Sequence, residues 1–417
     1  MMKNFTTIEN LLTPTEAFSR IQALKTPKHD SITLELESAF NCINTQTLYA
    51  QFDSPLFNNA ALDGYVFAYK EDTLEYDIKG VIYAGDEPQE WKLERGQCLK
   101  IMTGAMVPDG LDTLVPYEEA EEKDGRIILF KEPKKGQNVR KKREDFKKGA
   151  QIIPANTQLG CGDIALLASQ GISTLQCFKP LNIAIVASGN ELVHYKETLN
   201  QNQIYNSNAL MLKTLLQSYD FHQIENLIVQ DSKEELKKQI LSLCERNDVI
   251  LISGGASGGQ KDWTSIALQE IGAKIIFHGI NLKPGKPMLV AQYKNKIIFG
   301  LPGNPLGAFI TAFLYAVPYL LKAQGLKRYC HDFVQAKLTD PIYFKQGRYK
   351  AFLGTLDRNW IKILKEANSS SISVLRQANA LVLFSPDILY LNAQDSVKVI
   401  PLYVSNLRSS HFEAFNN

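Results

Sequence analysis

The chain has no long uninterrupted apolar run. Nothing in it approaches the ~20 consecutive apolar residues that span a bilayer, so no membrane partner is expected. It also lacks a charge bias: 46 Lys and Arg stand against 44 Asp and Glu, a net charge of +2. Global charge therefore offers no argument for a nucleic-acid or membrane-surface partner. Cysteine is sparse, with six in 417 residues, at positions 42, 98, 161, 177, 244 and 330. They form no CxxC pair and no metal-type spacing, which excludes a disulfide scaffold or zinc ribbon and favours free thiols in a reducing compartment. The opening MMKNFTTIENLL shows neither an apolar core nor a small-residue cleavage site. A secretory signal is not expected, and a cytoplasmic location is.

What is present reads as a multidomain protein. A length of 417 residues exceeds one ordinary core. Residues 13–25, TPTEAFSRIQALK, open with a capping box: Thr13 caps, Pro14 suits the first helical turn and Glu16 reaches back. From 47 to about 150, short β-rich pieces alternate with Gly, Pro and Asp turns. That stretch ends in a basic run, PKKGQNVRKKREDFKKG. Its single aromatic, Phe146, gives no stacking series, so nucleic acid is not expected. From 181 to about 322, strands alternate with helices, which predicts a mostly parallel sheet covered on both faces. The tail, about 328–405, returns to short strands and predicts a small β-barrel or sandwich.

In a parallel α/β sheet, ligands sit beyond the carboxyl ends of the strands. The loops expected there carry unusual chemistry. LISGGASGGQKDWT places four glycines between a strand and a helix. Gly254, Gly255 and Gly259, with Ser257, can bring bare backbone N–H groups up to an anion. Ser188, Gly189 and Glu191 follow the first strand, Asp231 the second and Asp262 the glycine cluster. Pro302, Gly303, Asn304 and Pro305 follow KIIFGL. Three carboxylates at one edge suggest Mg²⁺, which prefers oxygen ligands. Plainer roles stay open: Asp231 and Asp262 as helix caps, Glu191 as a solvated turn residue. Lys283 and Lys286, held in KPGKP, suit phosphate, or else line a solvated loop.

At these residues the sequence resembles the molybdopterin molybdenumtransferase family, to which the C-terminal domain of gephyrin is similar. The motifs that carry the resemblance are SGNEL, SGGASGG…D, LKPGKP and GLPGNPLGAF, in that order. Upstream, Asn59 to Tyr65 resembles S-A-M-D-G-Y, Ile101 to Ala105 matches I-M-T-G-A, and Asn138-Val139-Arg140 with Glu144-Asp145 resembles N-V-R…G-E-D. Downstream, Ala378-Asn379 resembles A-N-G-L. The resemblance spans nearly the whole chain.

It implies a discontinuous helical linker domain (1–46 and 147–178), a β-rich inserted domain (47–146), a three-layer α/β/α domain (179–326) and a C-terminal β-barrel (327–417). It implies insertion of molybdate into adenylylated molybdopterin with release of AMP. Asp63, Thr103, Arg140, Asp145, Glu191 and Asp262 would be catalytic. Glu191, Asp231 and Asp262 would hold Mg²⁺. The glycine loops, Lys283, Lys286 and the Pro302–Pro305 turn would hold the pterin nucleotide. It further implies a homodimer with an active site shared between subunits. A molybdopterin adenylyltransferase would supply substrate and molybdoenzymes would receive product. Arg143, Ala150, Gly258, Gln260 and Ala380 depart from the family pattern; the change at Gln260 puts one metal contact in doubt. Two other readings fit the residues less well: a non-catalytic scaffold of the gephyrin type, and a transferase or hydrolase acting on another adenylylated compound.

Overall fold

A computed structural model describes residues 11–27, 30–87, 89–255, 262–364 and 371–402. The chain forms two compact units, one of residues 33–176 and one of residues 1–32 with 177–417.

The second of these is built on a six-stranded sheet. Its strand order is Ile224–Val229, Ile183–Ser188, Val249–Ser253, Lys296–Leu301, Leu289–Tyr293, Lys274–His278. The first four are parallel; the last two join antiparallel. Central strands are buried on both faces, which is why they read as continuous apolar runs. Strand alternation sorts their residues into two cores. Ile183, Ile185, Leu251 and Phe299 pack with Leu212, Leu215 and Phe313 on one face. Ala184, Val186, Ile250 and Ile298 pack with Leu236, Ile240 and Leu268 on the other. The sheet therefore carries helices on both sides. The antiparallel hairpin of Leu289–Tyr293 and Lys296–Leu301 is absent from the sequence reading, which ran KPGKP on as loop; its reversal turns on Lys294 at φ 53°.

The predicted first helix is present as Pro14–Gln22, with both capping-box bonds: Glu16 N to Thr13 Oγ1 at 3.2 Å and Thr13 N to Glu16 Oε2 at 2.8 Å. The long helix Pro305–Ala323 is apolar enough to cross a membrane, but 89% of its most apolar window is buried within the protein. It widens into a π turn at Ala312–Ala316 just before Pro318, whose ring cannot donate to the preceding turn.

In the tail, Tyr349–Asp357, Trp360–Ile363, Val334–Leu338, Ser396–Pro401 and Ala380–Phe384 pair in that order, and the last pairs back to the first. This closes a five-stranded barrel, which removes edge strands. Leu338, Leu356, Ile361, Val382 and Val399 fill it.

The unit of residues 33–176 holds a separate six-stranded sheet, ordered Thr113–Pro116, Gly64–Phe67, Gln97–Ile101, Glu75–Ile82, Arg126–Leu129, Ala120–Lys123. Both faces are again covered, by Val66, Leu99 and Leu114 on one side and Tyr65, Cys98 and Val115 on the other. No disulfide joins any of the six cysteines, all of which lie among the described residues.

Candidate functional site

Within the unit of residues 33–176, four expected residues are exposed and lie on adjacent segments. Asp63 ends the turn before strand Gly64–Phe67. That strand lies so close to Thr113–Pro116 that a Cβ at position 64 would meet Val115 O at 2.1 Å. Only glycine permits this, and it fixes where Asp63 emerges. Thr103 donates twice to Asp63 Oδ1, from its backbone N at 2.7 Å and its Oγ1 at 2.6 Å. The Thr103 hydroxyl, then its N–H, hold the Asp63 carboxyl below the usual range. Arg140 pairs in register with Asn59, four residues before Asp63. Asp145 is tied to Ser54, by its N to Ser54 O at 3.0 Å and from Ser54 Oγ to its Oδ2 at 3.4 Å.

In the other unit, the strand ends converge as the parallel sheet predicts. Ser188 Oγ donates to Asp231 Oδ1 at 3.0 Å, and Asp231 N donates to Asn190 Oδ1 at 3.0 Å. Gly254 sits at φ +94°, where an added Cβ would meet Ser188 O at 2.3 Å; an added Cβ on Gly303 would lie 3.5 Å from Gly254 Cα. Thus Ser188, Gly254, Gly303 and Asp231 border one space. The Glu191 carboxylate folds back over Gly189, since a Cβ there would come within 2.8 Å of Glu191 Oε1. Asn304 caps helix Pro305–Thr311, accepting from Gly307 N at 2.7 Å, with Pro305 at the first turn. Ser257 and Gly259 lie outside the described residues.

Two carboxylates resolve differently. Ser232, not Asp231, caps helix Lys233–Arg246, which leaves Asp231 at the strand ends with Ser188. Asp262 is the cap of helix Trp263–Glu270: its Oδ1 accepts from Ser265 N at 3.1 Å, and its Oδ2 lies 3.3 Å from His278 Nε2. It is only 7% exposed. Among the described residues no group of three or more His, Cys, Asp and Glu side chains is arranged to hold a metal ion. The carboxylates therefore form no ready-made cage. The donor set suits Mg²⁺ only if the ion is shared with substrate oxygens and water, the usual habit of that ion; Glu191 and Asp231 have the accessibility for it.

A cavity on this unit, about 540 Å³, brings Lys283, Lys286 and Asn304 together with Lys345, Arg348 and Lys350. The three tail residues went unrecognised in the sequence. KQGRYK shows a basic turn, but nothing local says where it goes. The link is a parallel pairing of Leu282–Lys283 with Tyr349–Asp357, which sets Lys283 beside Lys350. Burial, then the Lys283 charge, push the Lys350 ammonium below its usual pKa. Like charges side by side repel, so this cavity is arranged for an anion. His278, the partner of Asp262, is a second residue missed by the sequence reading; no local pattern marks it.

Comparison with known proteins identifies the family. Residues 12–171 match the MoeA N-terminal region (domain I and II), and residues 184–322 match the probable molybdopterin binding domain. A molybdopterin molybdenumtransferase of Haemophilus influenzae is 33% identical over 300 residues, covering 71% of this chain and 74% of that one. One from Nostoc is 29% identical over 391 residues, covering 90% and 89%. The crystal structure of a molybdopterin biosynthesis MoeA protein from Pyrococcus horikosii superposes with a TM-score of 0.77 at 27% identity, covering 94% of this chain and 99% of its own. By sequence and by fold, this chain is a transferase of the molybdopterin molybdenumtransferase family.

Proposed function

We propose that the chain inserts molybdate into adenylylated molybdopterin, releasing AMP and molybdenum cofactor. The observation that carries this is the cationic cavity of Lys283, Lys286, Lys345, Arg348 and Lys350 beside Asn304. Both substrates are anions, and a cluster of five cations with no carboxylate among its lining residues is matched to oxyanions. Arg348 presents a planar fork of donors; the lysines act as point charges. The amides of Gly254 and Gly255 and the Pro302–Pro305 turn border the neighbouring space at the strand ends and suit the nucleotide phosphates.

Mg²⁺, when bound, would draw charge from the anhydride as it breaks, with Glu191 and Asp231 as its protein ligands. Asp262 caps its helix. Asp63, kept ionised by Thr103, is a proton acceptor or an orienting group for the dithiolene, and Arg140 is an oxyanion contact. The proposal includes a homodimer whose active site draws on both copies.

The test is AMP release on mixing pure protein, Mg²⁺, molybdate and adenylylated molybdopterin. Molybdate-dependent AMP release supports the reading. Release that ignores molybdate, or binding of ATP in preference to the adenylylated pterin, would replace it with a hydrolase of other adenylylated compounds.

A further inference from the structure

Asn208 lies on the second residue of helix Ser207–Gln217, and nothing in the local sequence marks it. Its Nδ2 donates to Gly303 O at 2.8 Å and to Ser253 Oγ at 2.9 Å. Ser253 Oγ in turn reaches Pro302 O at 3.4 Å. One amide nitrogen therefore ties the strand end at Ser253, immediately before Gly254, to the Pro302–Gly303 turn. Its orientation is settled by chemistry: Gly303 O only accepts, so nitrogen must face it. The cost is visible, because Asn208 Oδ1 is buried without a hydrogen-bond partner. Buried polar atoms are almost always paired, so an orphan accepted at this place needs a reason. The helix does not need Asn208 for its own end, since Asn206 already caps it by accepting from Ala209 N at 3.1 Å.

We infer that Asn208 is a positioning residue: it sets the spacing between the Gly254–Gly255 amides and the Pro302–Asn304 turn, and touches no substrate. This rests on the reading that those two segments hold the nucleotide end of the substrate. The inference is tested with Asn208→Asp, which keeps shape but replaces the donor by a charged acceptor facing Gly303 O, and with Asn208→Ala. Asn206→Ala is the control, weakening the same helix end without touching either segment. Amide exchange of the substrate-free protein is expected to rise in peptides covering Gly254 and Gly303 in both Asn208 variants and to stay unchanged there in Asn206→Ala. In kinetics, kcat/KM for AMP release should fall roughly tenfold to a hundredfold, mostly through KM, as expected for sub-ångström misplacement. Unchanged exchange at those peptides overturns the inference whatever the activity. Raised exchange with a wild-type protein that releases no AMP keeps the clamp and refutes the proposed reaction instead.

Discussion

Thr103 and Asp63, forty residues apart, are joined by two hydrogen bonds to one carboxylate oxygen, at 2.6 and 2.7 Å. Two donors on one oxygen favour the charged form, so the Asp63 carboxyl titrates below its ordinary value. Removing the hydroxyl with Thr103→Val takes away the larger of the two effects. The Asp63 pKa then rises toward its ordinary value of 3.8, and the acid limb of the kcat/KM profile moves to higher pH. Asp63→Asn is expected to lose about 10²-fold or more in rate if it is the proton acceptor, with an unchanged melting temperature because the side chain is exposed.

Asp262 separates structural from catalytic roles by a choice of substitution. Asn is as good a helix cap as Asp, so Asp262→Asn should melt within a degree or two of wild type. Asp262→Ala should lose about 1 kcal/mol through the missing cap. Equal loss of AMP release in both variants would assign the carboxylate a role beyond the cap. Normal release from Asp262→Asn would reduce it to a cap.

The cationic cavity predicts stabilisation by oxyanions. Molybdate or sulfate at a hundredfold over its Kd should add about 2.7 kcal/mol to unfolding free energy, read as a rise in melting temperature. Lys350→Met should abolish most of that rise. It should also stabilise the ion-free protein slightly, since the Lys350 charge is disfavoured there by burial and by Lys283.

His331 makes stability pH-dependent. Its ring stacks on Phe313 with centroids 4.0 Å apart, and its Nε2 donates to Phe313 O at 2.7 Å inside the π turn. Burial pushes its pKa down; the Phe313 carbonyl and Asp332 only partly oppose this. A base with a lowered folded pKa binds its proton more readily when unfolded. Stability is therefore complete above the ordinary value of 6.5 and is lost as pH falls below it, by at most about 1.4 kcal/mol per pH unit. His331→Phe should flatten that slope in urea titrations between pH 7 and 5. A slope identical to wild type would place the titration elsewhere.

Arg143 shows how a departure from family pattern is absorbed. Glycine is the expected residue there, and the structure gives Arg143 a φ of +69°, a conformation that glycine adopts without strain. Its Nε instead pairs with Asp53 Oδ2 at 2.9 Å, and Asp53 Oδ1 also accepts from Lys148 N at 2.9 Å. The substitution and its compensation lie ninety residues apart, so a sequence alone displays the first without the second. The change at Ala380 falls in the barrel, where its side chain is fully buried. Gln260 and Gly258 lie outside the described residues.

What the sequence determined by itself is what is written in local periodicity and turn chemistry. The capping box of Pro14–Gln22, the buried central strands of the parallel sheet, the helix caps and the glycine and proline turns at the strand ends all follow from residues within a few positions of one another. Those signals placed Ser188, Glu191, Asp231, Gly254 and Asn304 at a ligand edge. What only the tertiary structure decided is which distant side chains meet there. Lys283 lies beside Lys350 because two short segments pair in register. Asn208 bridges Ser253 and Gly303 because a helix packs over two strand ends. Each of these depends on contacts between residues tens of positions apart, and such contacts leave no periodic trace in the chain.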